Sequence, residues 1–284
     1  MARRPRLSGE RLYHHIYAWG NNRQAIFLNH QHYATYLDYL RKYSNDYRVD
    51  IIAYALMQTH IHLFVYDLRG RVSDFMNSLH GEYAQYFNRM TGGVGHVFGE
   101  RFNNKVVQAN EYGLWLSRYI HRQAVEAGLV RDPKDYPWTS YHGYLGETSV
   151  GFLKPEIILS QFGNDKQCFI RYKEFVEGTE NGPVAWDSKS VIVVGDEEFK
   201  QGIRECEAAG SHEDPSDEEI LVLIASRFKV KPELLITPHG WEEKRLRRML
   251  IRYLVDEIGL KPARIAQLCH ISRMAVQKAF LKKL

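Results

Sequence analysis

Two histidines separated by a single apolar residue, His60-Ile61-His62, lie in an apolar, almost uncharged run over residues 53–66 of this 284-residue chain. Ile61, Phe64, Val65 and Tyr66 favour an extended strand. Strand side chains alternate between faces, so His60 and His62 project from one face, roughly 6–7 Å apart. Two neutral imidazoles at that spacing can share one divalent ion if a third ligand arrives from elsewhere. A chain with 13 histidines also produces a His-x-His pair by chance, so a metal reading needs a second element. That element is the segment Leu114-Trp115-Leu116-Ser117-Arg118-Tyr119-Ile120-His121-Arg122-Gln123. Leu116, Ile120 and Ala124 repeat at helical spacing, and Gly128 is a natural stop. On that helix Tyr119 and Gln123 are four residues apart and share a face. A tyrosine hydroxyl beside an oxygen-donor amide could there meet a histidine-bound metal.

The elements that must position these residues read as strand, helix, strand, strand, helix, strand, helix. Tyr13–Ala18 is the predicted first strand, Gln31–Asn45 a helix, Val49–Met57 and Ile61–Tyr66 two strands joined by a tight turn. Val72–Arg89 is a helix, Phe102–Gln108 the last strand, and the Tyr119 helix follows. This order predicts the α+β class, an antiparallel sheet with packed helices. Three parts are expected: 1–145 carrying the chemistry, 146–215 an acidic connector with a helix near Phe169–Glu177, and 216–284 all helical.

The chain resembles a known family at five blocks. Met57-Gln58-Thr59-His60-Ile61-His62-Leu63-Phe64-Val65 resembles the M-P-N-H-V-H-L-L-V signature of REP-associated tyrosine transposases, bacterial relatives of the single-tyrosine HUH transposases. Arg118-Tyr119-Ile120-His121-Arg122-Gln123-Ala124-Val125-Glu126-Ala127-Gly128-Leu129-Val130 resembles R-Y-I-H-x-N-P-V-R-A-G-L-V. Gly95-His96-Val97-Phe98-Gly99-Glu100-Arg101-Phe102, Gly20-Asn21-Asn22-Arg23-Gln24-Ala25-Ile26-Phe27 and Tyr136-Pro137-Trp138-Thr139-Ser140-Tyr141 resemble further family blocks, in family order, across residues 10–145. Departures are Gln58 and Thr59 for Pro-Asn, Trp19 for Arg, Gln123 for Asn (as in the smaller single-tyrosine enzymes) and Ala124 for Pro.

The resemblance implies an HUH, ferredoxin-like domain and an enzyme that cuts and transfers single-stranded DNA near hairpin repeats. Tyr119 would attack a phosphodiester, leaving a phosphotyrosine on the 5′ side and a free 3′ hydroxyl. Tyrosine, with a pKa of about 10, is a weak nucleophile at neutral pH. A Mg²⁺ or Mn²⁺ ion held by His60, His62 and Gln123 would offset the developing charge. Arg101 and Lys105, beside the last strand, would grip the DNA backbone or coat the surface; His96 is read as structural or DNA-adjacent, and Tyr83 as touching DNA. A homodimer and a cytoplasmic, nucleoid-associated location are further expectations. Two rivals stay open: a repeat-binding DNA protein without catalysis, and a rolling-circle initiator or relaxase. The absence of a helicase phosphate loop disfavours the latter.

Composition agrees with a globular DNA enzyme. Charged residues make up 25% and hydrophobic ones 44%, an ordinary balance, and no run of about eighteen apolar residues suggests a membrane span. The start, Met-Ala-Arg-Arg-Pro-Arg, reads as a basic arm for phosphate and not as a secretory signal. Cys168, Cys206 and Cys269 show no zinc spacing. Residues 171–220 carry 5 basic and 14 acidic side chains, and residues 240–284 carry 11 basic and 4 acidic. The acidic stretch reads as a solvated surface or spacer, with a weaker reading as a cover over a basic groove; the basic end suits nucleic acid. In that end Ser216 and Glu219 have capping-box spacing, Trp241–Ile258 is a basic amphipathic helix ended by Gly259, and Lys261–Cys269 with Ser272–Lys283 resembles a helix-turn-helix. Its predicted core is Ile265, Ala266, Leu268, Ile271, Val276 and Phe280. The segment is similar to the C-terminal DNA-binding domain of the bacterial replication initiator, which implies that Arg264, Arg273, Gln277 and Lys278 meet DNA. His270 stands where glycine is usual, so the turn must tolerate or avoid a left-handed residue.

Overall fold

The computed structural model describes residues 7–281 apart from 8, 149, 181, 183, 185, 187–190, 210–215, 257, 259 and 261. The basic arm at residues 1–6 and the Gly259 helix stop lie outside the described residues. Two compact units form, residues 1–203 and 204–284.

The first unit runs β1 (Leu12–Trp19), α1 (His30–Tyr47), β2 (Val49–Met57), β3 (His60–Asp67), α2 (Val72–Thr91), β4 (Asn103–Val107) and α3 (Glu111–Glu126). The predicted order is therefore present, with ends shifted by a residue or two. Asn29 caps α1 by accepting from His32 N, and Asn110 caps α3 by accepting from Tyr112 N, each satisfying an otherwise orphan amide. Gly128 follows α3 with φ of 69°, the left-handed stop its type predicts.

The strands lie in the order β2-β3-β1-β4, all antiparallel, the arrangement of a split βαβ, ferredoxin-like sheet. A short fifth strand, β5 (Val193–Val194), joins the β4 edge in parallel. The sheet is thus mixed and not purely antiparallel, because a returning segment covers an edge that β4 would otherwise expose. On the other edge, Leu56 N donates to Trp138 O and Ser140 N to Tyr54 O.

Register decides which residues share a face. Tyr17 lies opposite His62, Trp19 opposite His60, and His15 opposite Phe64 on β3 and Lys105 on β4. Ala53 and Ala55 occupy the same face of β2, and their small side chains let α3 approach closely. The opposite face, with Ile16, Ala18, Ile61, Leu63 and Val65, is buried; α1 packs on β2 and α2 packs on α1. Tyr83 belongs to this interior. It is fully buried and donates to Ile26 O at 2.6 Å, so the expected DNA contact gives way to a structural one.

Residues 146–203 belong to the first unit. Short helices α4 (Tyr141–Tyr144) and α5 (Glu156–Leu159) lead into α6 (Cys168–Glu177), close to the helix expected at 169–177. Ile158, Leu159, Tyr172, Val176, Trp186 and Val194 are buried. These apolar residues are interleaved with the acidic ones, and that is why the segment packs where net charge alone suggested a solvated connector.

The second unit contains the end of α7 (Glu197–Ala209) and then α8 (Asp217–Phe228), α9 (Gly240–Asp256), α10 (Pro262–Leu268) and α11 (Arg273–Leu281). The capping box forms as read: Glu219 N donates to Ser216 Oγ and Ser216 N to Glu219. Ile265, Ala266, Leu268 and Val276 are buried, and Ile271 is half-buried. Phe280 lies outside the described side chains. His270 adopts φ of 53°, so the turn between α10 and α11 tolerates the left-handed residue at a cost of about 1–2 kcal/mol.

Candidate active site

The helix-covered face of the sheet carries a column of aromatic and imidazole rings. His60, at the start of β3, stacks on Trp19 with centroids 3.9 Å apart and has Nδ1 3.1 Å from Thr59 Oγ1. His62 is 3% exposed and meets His60 edge-on at 5.1 Å. Tyr119, projecting from α3, sets its ring edge-on to His62 at 5.5 Å. The structure therefore brings together three residues read from two segments almost sixty positions apart. Gln123 is buried on the next turn of α3, where its Nε2 donates to Tyr119 O at 3.3 Å. That bond leaves the amide oxygen as the end of Gln123 not committed to its own helix.

A fourth residue completes the cluster and was not read from the sequence. His15 of β1 is fully buried, stacks on His62 at 5.4 Å and lies with Nε2 3.1 Å from His62 Nδ1. It also touches Tyr119 edge-on at 5.8 Å. Burial pushes His15 down to about 3, with nearby Lys105 adding to the effect. His62 is held well below its ordinary value by burial first and by the neighbouring imidazoles second. Both rings are therefore neutral at physiological pH, the state in which an imidazole nitrogen can take a cation. The signal for His15 was its alternation with Tyr17 and Trp19, but only strand pairing reveals that this face is also that of His60 and His62.

Trp186 closes the cluster. It is 5% exposed and lies against His15 at 5.8 Å and Tyr119 at 6.1 Å. Trp186 belongs to the acidic stretch and meets the cluster through its indole. No local pattern marks Trp186, because its contacts come from a long return across α3.

The fit to a divalent ion rests on the donor set. His62 Nδ1 faces His15 and His60 Nδ1 faces Thr59, so each imidazole is oriented by a neighbour, the usual way a ligand ring is held. Two such imidazoles plus an amide oxygen suit Mn²⁺ or Mg²⁺ less selectively than an all-oxygen set would. Among the described residues no group of three His, Cys, Asp or Glu side chains could hold a metal.

The remaining candidates divide. Arg101 is exposed just before β4, and His96 is exposed. Lys105 is 2% exposed and lies opposite His15 inside the sheet; its expected surface position is corrected, because the strand's alternation turns it inward. In the second unit Arg273 and Lys278 are exposed on α11, while Arg264 pairs with Asp217 at 2.6 Å. The side chain of Gln277 lies outside the described residues.

Helix α3 is anchored from behind. Arg118 donates to the carbonyls of Phe175 (2.8 Å) and Gly178, and Arg122 to that of Val176 (3.0 Å). Two cations thereby satisfy the open carbonyls at the end of α6. The arginine beside Tyr119 is thus committed to holding the helix.

The first unit is an α+β domain with a tyrosine–imidazole cluster on the face covered by α3. Residues 8–123 match the family model described as "Transposase IS200 like". Among solved structures, one described as "the REP associates tyrosine transposase bound to a REP hairpin" is similar at 16% identity and TM-score 0.45, covering 54% of this chain and 98% of that one. A putative transposase from Deinococcus radiodurans is similar at 17% identity and TM-score 0.31, covering 43% and 98%. No curated protein sequence matches the chain. Among the described residues no helix is long and apolar enough to cross a membrane.

Proposed function

We propose that this chain is a single-strand DNA endonuclease and strand transferase that uses Tyr119 as its nucleophile and acts near hairpin-forming repeats. The observation that carries the reading is Tyr119 lying edge-on over the buried His62, 5.5 Å away, within a segment that matches a transposase family model. The hydroxyl oxygen attacks a backbone phosphorus, the P–O bond to the 3′ oxygen breaks, and the departing strand keeps that oxygen as a free 3′ hydroxyl. The protein retains a 5′-phosphotyrosine, which conserves the bond energy for rejoining without a nucleotide cofactor. His60, His62 and the Gln123 amide oxygen would hold a divalent cation. When bound, it supplies positive charge beside the scissile phosphate. The stacked ring of Trp19 fixes His60, and Arg118 with Arg122 fixes the helix that delivers Tyr119. Arg101 contributes backbone attraction from the surface.

The second unit supports a separate role in holding DNA. Arg273 and Lys278 face outward from α11, in the position of a recognition helix in the helix-turn-helix reading, and Gln277 would join them. Arg264, paired with Asp217, would serve the fold of this unit before it serves DNA.

Single-stranded oligonucleotides spanning hairpin repeats, incubated with Mn²⁺ and resolved on denaturing gels, test the reading. A metal-dependent covalent protein–DNA band that vanishes in Tyr119→Phe supports it. Tight hairpin binding with no adduct under any metal would point to a non-catalytic repeat-binding protein.

A further inference from the structure

The buried contact between His15 and His62 has no place in the reading above, which needs only His60, His62, Gln123 and Tyr119. His15 nevertheless makes a direct polar contact with His62. Its Nε2 lies 3.1 Å from His62 Nδ1, and the two rings are nearly parallel at 17°. His15 is fully buried, and its Nδ1 has no hydrogen-bond partner among the described residues. An unsatisfied buried polar atom costs about 1–3 kcal/mol, so a neutral apolar residue would fill this place more stably. The ring is also walled by Tyr119 and Trp186, which leaves it little freedom to turn.

Two neutral imidazoles in that geometry share one proton between the facing nitrogens. If it sits on His15 Nε2, then His62 carries its own proton on Nε2 and offers no lone pair away from His15. If it sits on His62 Nδ1, the lone pair of His62 Nε2 is bare, and His15 Nε2 is the acceptor that keeps it so. A cation needs the second arrangement.

We propose that His15 is a positioning residue for the cation site, fixing the plane of the His62 ring and the tautomer that presents Nε2. The inference rests on the proposed role of His62 as a ligand. It assigns His15 no contact with cation or DNA.

Titration of the full chain with Mn²⁺, followed by calorimetry and by the paramagnetic resonance of free Mn²⁺, tests it without any cleavage assay. His15→Phe preserves ring volume and removes the acceptor; His15→Gln restores an acceptor. The expected result is about 10- to 100-fold weaker Mn²⁺ binding in His15→Phe and substantial recovery in His15→Gln. Long-range ¹H–¹⁵N spectra of histidine-labelled protein should show His62 protonated on Nδ1 in the wild type with a non-paramagnetic divalent ion, and a mixture of tautomers in His15→Phe. Mn²⁺ affinity unchanged in His15→Phe, while His62→Ala loses it, overturns the positioning role alone. Affinity unchanged in His62→Ala as well overturns the cation site and the role of His15 with it. Should His15→Phe not fold, His15→Gln carries the test, and a His62 tautomer unlike the wild type in that variant is the overturning result.

Discussion

His121 Nδ1 lies 2.7 Å from the hydroxyl of Tyr172, joining α3 to α6 deep inside the first unit. His121 Nε2 is 2.8 Å from Ser140 Oγ, and the Tyr172 hydroxyl donates to Ser117 Oγ, which donates to Leu114 O. Tyr54 N donates to Ser140 Oγ. Read as one directed chain, every side-chain group in this series gives one hydrogen bond and takes one, with His121 neutral. Burial, and to a lesser degree His142, pushes His121 down to about 3, which agrees with that assignment. The chain ties the Tyr119 helix to α6, to the loop before α4 and to β2.

Cutting this chain should loosen the helix. Tyr172→Phe keeps the ring but leaves His121 and Ser117 each short of a partner, at an expected cost of about 1–3 kcal/mol. Urea denaturation of wild type and variant reads the difference, and equal midpoints with equal slopes would show that the network contributes nothing to stability.

Tyr119→Phe should abolish the covalent protein–DNA adduct and leave hairpin affinity within about twofold, since it removes one hydroxyl from a partly exposed ring. Gel-shift and adduct assays on the same preparations separate the two quantities. An adduct that survives would move the nucleophile to another tyrosine.

His62→Ala should lose metal-dependent cleavage, by on the order of 100-fold or more in view of the loss of charge stabilisation. Single-turnover cleavage across a Mn²⁺ series provides the measurement. Full activity at every concentration would refute the assignment of His62.

Stability should fall as the solution is acidified through the histidine range. His14 is buried on the far face of β1, held by Asn104 at 2.9 Å, and burial lowers it to about 4 against an ordinary 6.5. The folded state resists the proton that the unfolded chain accepts. Its contribution is therefore full above pH 6.5 and is lost as pH drops towards 4, at up to about 1.4 kcal/mol per pH unit. Below 4 the slope due to His14 vanishes. Thermal melts of wild type and His14→Asn between pH 7 and 4 should show a shallower dependence in the variant; parallel curves would count against it.

Arg273→Ala with Lys278→Ala should weaken hairpin or duplex binding at low salt and flatten its salt dependence, by close to one unit of slope per lost phosphate contact. Strand cleavage of short unpaired oligonucleotides should persist. An unchanged salt slope would remove α11 from the DNA-binding surface.

Much of this protein follows from sequence because its signals are local. Strand alternation puts His60 and His62 on one face, helical spacing puts Tyr119 and Gln123 on another, and Gly128 marks where α3 ends. The capping box at Ser216 and the turn at His270 are equally local. What spacing does not carry is who sits across from whom. His15 joins His62 only because β1 pairs between β3 and β4. Lys105 turns inward because its register on β4 matches His15. Trp186 reaches Tyr119 by a return of more than sixty residues, through a stretch whose acidic charge masks its buried apolar side chains. Pairing and long-range packing are relations between segments, and their free energy comes from burying both partners at once. The chain's own periodicity therefore determined the elements and the reactive residue types, while the tertiary structure decided which side chains orient them.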